Sequence, residues 1–266
     1  MPVPGSNPGE PTIVEFSFQD IEDLITELSI SGCKPSTIRD MRKRLTEFAE
    51  FCCYRYNLNN IKIYLEKYKK NYSIDHKIKI LQDIKRLTAR FNPELAKRIR
   101  PPKPPKRRKI VIKREHIQNL LNQAENLTKT EHLRLKAAIL LSASSGLRAM
   151  ELNKLTAKNI EIENRTIYLE AEITKDFEDR ITFFNNEAKE ALTEFLTDFK
   201  PKNKIFPEST LKKSFKKFKM NTELRIKHMR KFFSQQSDRL GMPTAVKKML
   251  MGHSMSRDVD LSHYDF

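Results

Sequence analysis

The sequence predicts a mainly α-helical fold with a small β-sheet, divided into an N-terminal helical domain and a C-terminal α+β domain. Three observations carry that prediction. Apolar residues recur at helical spacing along most of the chain, a basic, proline-rich stretch interrupts them once, and two short stretches of the second half read as strands.

Residues 1–13 hold Pro2, Pro4, Pro8 and Pro11 with Gly5 and Gly9, the composition of a disordered leader. A helical domain is expected over 14–96. Phe18, Ile21, Leu24, Ile25 and Leu28 share one helix face, with Ser17 and Asp20 placed to cap its start. Gly32 and Pro35 end that pattern. A second helix runs through Ile38, Met41, Leu45, Phe48 and Cys52. A third, shorter one holds Ile61, Tyr64 and Tyr68, and a fourth runs through Ile80, Leu81, Ile84, Leu87 and Phe91. Four amphipathic helices with short breaks make a small bundle.

Residues 97–112 read as a linker. Ten of the eighteen positions 97–114 are Lys or Arg, none is acidic, and prolines occupy 101, 102, 104 and 105. Proline stiffens such a segment while like charges extend it. It is either a plain solvated spacer or a strap across a DNA backbone, with Lys103, Lys106, Arg107, Arg108 and Lys109 as the contacting cations.

The second domain is expected over 113–266. Helices are predicted near 116–124 and 133–143, the latter apolar on nearly all sides and therefore buried. Residues 166–169 and 180–184 are strand-like, with turn text at 175–179 between them. Ala188, Ala191, Leu192, Phe195, Leu196 and Phe199 restore a helix stripe. Further helices are predicted near 208–219, 223–239 and 243–251.

Composition narrows the partner. The 266 residues carry 51 Lys and Arg against 34 Asp and Glu, a net charge of +17 that suits a polyanion. Anionic membranes compete for that role, but no apolar run approaches the ~20 residues that span a bilayer, and no signal peptide is evident. Nucleic acid is the expected partner, in the cytoplasm. Cys33 and the adjacent Cys52 and Cys53 form neither a disulfide framework nor a C-x-x-C metal pattern. No cofactor and no metal is expected, since H-E-x-x-H, P-loop and Gly-rich nucleotide motifs are missing from the sequence.

Arg148 follows the apolar run at a Ser-Gly turn, and an arginine ending a buried helix needs an anion. Glu151, three residues on, is the local alternative, and its expected role is to orient Arg148 rather than to react. Lys227-His228-Met229-Arg230 and Gly252-His253 add cations downstream, and His263-Tyr264 adds a phenol. Arginine holds both nonbridging oxygens of a phosphodiester, a lysine can protonate a leaving oxygen, and a tyrosine can attack. Each has a plainer use: turn charge for Lys175, a helix cap for His253, an apolar anchor for Tyr264.

In that order these segments resemble the tyrosine recombinases, the phage-type integrases, and are closest in character to those of archaeal viruses and plasmids. Arg148 in Gly-Leu-Arg-x-x-Glu-Leu is similar to their first arginine box, and Thr174-Lys175 with Arg180-Ile181-Thr182 to their lysine hairpin. Met229-Arg230 resembles the second arginine box, Met251-Gly252-His253 the Leu-Gly-His segment, and His263-Tyr264 the nucleophile. The resemblance covers about 110–266. It implies a SAM-like core-binding domain ahead of an α+β catalytic domain, clamped around double-stranded DNA. Catalysis would rest on Arg148, Lys175, Lys227, Arg230, His253 and Tyr264. The family usually has His-x-x-Arg where this chain has Lys227-His228-Met229-Arg230, so either Lys227 supplies the cation or a kink brings His228 in.

The resemblance further implies a 3′-phosphotyrosine intermediate, no need for metal or ATP, and a tetramer on paired DNA sites. This sequence stops two residues after Tyr264 without the trailing helix of bacterial members, which leaves open cis use of that tyrosine, trans use, and a C-terminus shortened from the native one. A type IB topoisomerase and a noncatalytic DNA-binding factor on the same scaffold are the alternatives.

Overall fold

A computed structural model describes residues 12–106, 110–217 and 224–253. The chain divides into two units, residues 1–108 and 109–266.

In the first unit, β1 (Val14–Glu15) pairs antiparallel with β2 (Arg55–Tyr56), with Val14 opposite Tyr56. Between them run α1 (Phe18–Ile30) and α2 (Pro35–Cys52). After them come α3 (Leu58–Ile63), a π-helical turn at Tyr64–Tyr68, α4 (Ile74–Phe91) and α5 (Pro93–Arg98). Ser17 caps α1 as expected: its backbone N–H donates to the Asp20 carboxylate at 2.7 Å, and its hydroxyl accepts from the Asp20 N–H. Ile21, Leu45, Phe48, Ile84 and Leu87 are fully buried between α1, α2 and α4. The third helix departs from expectation by changing to π winding. The wider turn lets Tyr64 and Tyr68 both reach Phe51, with ring centroids 5.0 and 4.5 Å away. The β1–β2 ribbon was not predicted, because two-residue strands are too short to show a period.

The second unit contains α6 (Arg114–Ala124), α7 (Lys129–Ser145), α8 (Ala149–Leu152), β3 (Ile160–Glu161), β4 (Thr166–Leu169) and β5 (Arg180–Phe183). It continues with α9 (Asn186–Asp198), α10 (Glu208–Lys217), α11 (Ile226–Arg239) and α12 (Thr244–Met251). The sheet is antiparallel in the order β3-β4-β5, with Ile167 opposite Thr182 and Leu169 opposite Arg180. Helix α7 lies at the centre, packed by α6, α9, α10 and α11. That position explains its all-round apolar surface: Leu135, Ala138, Ile139 and Leu141 are each 0% exposed. Ile112, also fully buried, joins this core, and its backbone N–H donates to Gln235 Oε1 at 2.9 Å. No helix among the described residues is long and apolar enough to cross a membrane.

One polar bond fixes the sheet to the central helix. The buried Thr182 hydroxyl donates to the Ser145 carbonyl at 2.7 Å, tying β5 to the last residue of α7. Thr182→Val keeps the side-chain shape but leaves that carbonyl without its donor. The expected cost is about 1–3 kcal/mol of stability in urea unfolding. A variant within about 0.5 kcal/mol of the parent, the range of a neutral surface change, would show that this bond does not anchor the sheet.

Candidate active site

The site forms where α7 stops. Gly146 ends the helix with φ +67°, and a Cβ there would lie 2.6 Å from the Phe233 ring, so both backbone and packing demand glycine. The turn delivers Arg148 to the N-cap of α8. Its backbone N–H donates to Glu151 Oε2 at 2.7 Å, and its Nη1 donates to Glu151 Oε1 at 2.9 Å. Its Nη2 reaches Asp176 Oδ2 at 2.9 Å and the Gly252 carbonyl at 2.7 Å.

Glu151 is 1% exposed and serves two arginines at once. Arg180, at the start of β5, donates Nη2 to Glu151 Oε2 and Nη1 to the Leu250 carbonyl. The approach is close enough that a Cβ on Gly252, φ +62°, would sit 2.7 Å from Arg180 Cδ. Strand β5 and the end of α12 are thereby joined through one guanidinium.

Arg230, on α11, donates to the Gly146 carbonyl at 2.7 Å and the Met251 carbonyl at 2.6 Å, and lies 3.0 Å from His253 Nε2. A guanidinium can only donate, so Nε2 accepts and the ring proton sits on Nδ1. Burial, followed by the charge of Arg148, lowers the Arg230 pKa to about 10. His253 is held below its usual value by burial, then by Arg230 and Arg148. Burial likewise lowers Arg180, while Glu151 opposes the shift.

The charges do not balance. Arg148, Arg180 and Arg230 face Glu151 and Asp176, and the hydrogen-bond partners of Arg230 are two carbonyls and an imidazole, all neutral. A half-buried guanidinium with neutral partners favours an incoming anion. A single phosphodiester would complete the set.

Of the residues expected here, Arg148, Arg230 and His253 are brought together. Lys175 is exposed in the β4–β5 connection, directly before Asp176. Lys227 is exposed one turn ahead of Arg230 and lines a cavity of about 470 Å³ with Ala149 of α8 and Asn153 just after it. The His228 ring is engaged locally, its Nδ1 accepting from the Arg225 N–H at 3.0 Å as part of the α11 cap. His263 and Tyr264 lie outside the described residues, as do Arg107, Arg108 and Lys109. Lys103 and Lys106 are exposed in a stretch without helix or strand.

Sequence reasoning gave no site role to Arg180 or Asp176. The signal for Arg180 was the period of two: it shares a sheet face with Thr182, which is buried, so its charge had to be met inside. Asp176 carried no such signal in its turn. The first unit presents another basic surface, a groove of about 820 Å³ between α2 and α4 lined by Arg44, Lys79, Lys85 and Arg86. Arg44 is pinned there to buried Asp83 at 2.6 Å.

Residues 111–264 match the phage integrase family. The tyrosine recombinase XerA of Saccharolobus solfataricus is 34% identical over 161 residues, covering 58% of this chain and 53% of that protein. The chain thus spans about half the length of this curated relative. In fold the chain is similar to lambda integrase, solved as a tetramer bound to a Holliday junction, at a TM-score of 0.69 and 13% identity over 93% of this chain and 79% of that one. It is also similar to the Tn1549 transposon integrase, solved with circular intermediate DNA, at 0.66 and 14% over 94% and 95%.

The His253 environment has a measurable consequence. In the free protein its ring is expected to titrate below 6.5, followed by ring-proton NMR with His253→Gln for assignment. With the folded value depressed, the unfolded chain takes up this proton first as pH falls. The group's stabilising contribution is then complete above 6.5 and is lost as pH drops through the folded value. Phosphate in the site should move the titration upward. A free-protein value at or above 6.5 would contradict the geometry described.

Proposed function

The chain belongs to the phage integrase family, the tyrosine recombinases, and on that footing we propose that it is a site-specific DNA recombinase that cuts and rejoins DNA through a 3′-phosphotyrosine. The observation that carries this reading is Arg230, half-buried near Arg148 with neutral partners and poised for a phosphate.

In the proposed reaction the Tyr264 phenolate oxygen attacks the scissile phosphorus. The new O–P bond forms as the bond to the 5′ oxygen breaks, leaving a 3′-phosphotyrosine and a free 5′-hydroxyl. Arg148 and Arg230 hold the nonbridging oxygens, where charge grows in the transition state. His253 adds an Nδ1–H donor on the tautomer that Arg230 imposes. Lys175 gives its proton to the departing 5′ oxygen. Lys227 takes the cationic place next to Arg230, a reading supported by the use of His228 as a helix cap. The incoming phosphate displaces the Asp176 carboxylate from Arg148, and because Lys175 is its neighbour the same loop movement carries the proton donor. The linked ester conserves the bond energy, so the reverse attack by a 5′-hydroxyl needs neither ATP nor metal.

The first unit and the basic linker are proposed to bind the duplex on the side away from the catalytic unit, within the nucleoid. The lambda integrase tetramer on a Holliday junction supports a four-copy assembly on paired sites.

A nicked suicide duplex tests the chemistry. The full chain should form a covalent 3′ adduct, Tyr264→Phe none, and Arg230→Ala about 10²–10³-fold less per unit time. No Tyr264-dependent adduct would leave a noncatalytic DNA-binding factor. An adduct without strand transfer between two duplexes would point to topoisomerase-type relaxation instead.

The linker is tested by salt. Replacing Lys103, Lys106, Arg107, Arg108 and Lys109 with alanine should flatten log K against log salt by about 0.9 for each phosphate no longer neutralised. An unchanged slope would reduce the segment to a spacer.

A further inference from the structure

Arg134 is 8% exposed, and among the described residues it has no hydrogen-bond or ion-pair partner; its Nε is buried and unsatisfied. Its guanidinium instead lies over the rings of Phe195 and Phe199, 5.6 and 5.0 Å from their centroids. Burial lowers its pKa, with Glu131 opposing. Glu131 does not neutralise it by contact: both its oxygens are held by Lys217 Nζ at 2.5 and 2.7 Å. Arginine does not escape by losing its proton, so this helix buries a charge at a position flanked by Leu133 and Leu135, which are buried. Such a charge is costly unless something anionic meets it.

What Arg134 borders is concave. A cavity of about 370 Å³ is lined by Arg134, Phe199, Lys202, Asn203, Lys204 and Thr210, among others, and no carboxylate belongs to its wall among the described residues. The loop that supplies Lys202 and Lys204 is fixed: Lys204 bridges Thr156, the Ile205 N–H donates to the Leu155 carbonyl at 2.9 Å, and Ile205 and Phe206 are fully buried. The volume is within the range of small-molecule sites. Arg134 precedes Ser145 by eleven residues on α7, about 16 Å along the helix axis, so this cavity is distinct from the Arg148–Arg230 cluster.

We infer that this cavity is a second anion site, which holds an oxyanion of the phosphate class on the Arg134 fork with Lys202 and Lys204 as flanking charges. The planar fork binds two oxygens at once, the lysines add charge without fixed direction, and Asn203 and Thr210 offer an amide and a hydroxyl. The aromatic stack keeps the fork oriented before an anion arrives. The ligand is either a free phosphate or a phosphate of bound DNA. The inference does not rest on the cleavage reaction proposed above.

Titration calorimetry on the full chain decides it, with potassium phosphate in chloride of matched ionic strength and no DNA. The chain should bind one equivalent more phosphate than Arg134→Met, which retains the packing on Phe195 and Phe199. Lys202→Gln/Lys204→Gln, exposed changes outside the core, should weaken that equivalent about tenfold or more. If the site reads DNA, phosphate alone will show no difference, but duplex affinity will fall in both variants. Phosphate and duplex binding unchanged in both variants would overturn the inference. So would loss of all phosphate binding on Arg148→Gln/Arg230→Gln with Arg134 intact, when duplex affinity is also unchanged in the Arg134 and lysine variants. Should Arg134→Met fail to fold, the double lysine variant decides alone.

Discussion

Glu151 is the carboxylate on which the geometry of the second unit turns. It is buried, and it bonds the backbone and side chain of Arg148 and the side chain of Arg180 together. Through Arg148 it fixes the start of α8, through Arg180 it fixes β5, and Arg180 in turn holds the end of α12 by the Leu250 carbonyl. Three separate stretches of chain therefore meet at one side chain. Removing that carboxylate would leave two guanidinium groups buried side by side, which is far more costly than the loss of a surface pair.

Two glycines make such close meeting possible. At Gly146 the chain leaves α7 in a left-handed turn against the Phe233 ring, and at Gly252 it leaves α12 the same way against the Arg180 side chain. Each exposes a helix-end carbonyl region to an arginine: Arg230 takes the carbonyls of Gly146 and Met251, and Arg148 that of Gly252. Arg230 is thus held by backbone dipoles that orient it without cancelling its charge, while Arg148 adds a backbone carbonyl to its two carboxylate partners. That is how a site can be rigid before its anion arrives.

Arg134 shows the same physics at the other end of the central helix, with aromatic rings in place of carbonyls. Arg230 and Arg134 are each held by neutral partners, the first half-buried and the second buried. The ion pairs on the surface are of a different kind, since exposed pairs such as Lys97 with Glu94 are screened and contribute little.

The sequence by itself determined the longer helices and the β4–β5 hairpin, and it singled out Arg148, Arg230 and His253, which the structure brings together, because each announces itself locally. A helix shows its period over ten or more residues, and Arg148 breaks an apolar run at a glycine. The ends of elements shifted by a few residues, and the short β1–β2 ribbon and the π turn at Tyr64–Tyr68 stayed hidden, since neither has a length over which a pattern can repeat. Only the tertiary structure decided how the charges are shared. Arg180 and Glu151 are 29 residues apart, Arg148 and Asp176 28, and Arg148 and Gly252 104. Arg134 was passed over because it adjoins an apolar run, and its meaning depends on two rings and a loop brought to it from more than 60 residues away. Local pattern reports which face of an element must be buried; which group meets which on that face is settled by the packing of distant segments.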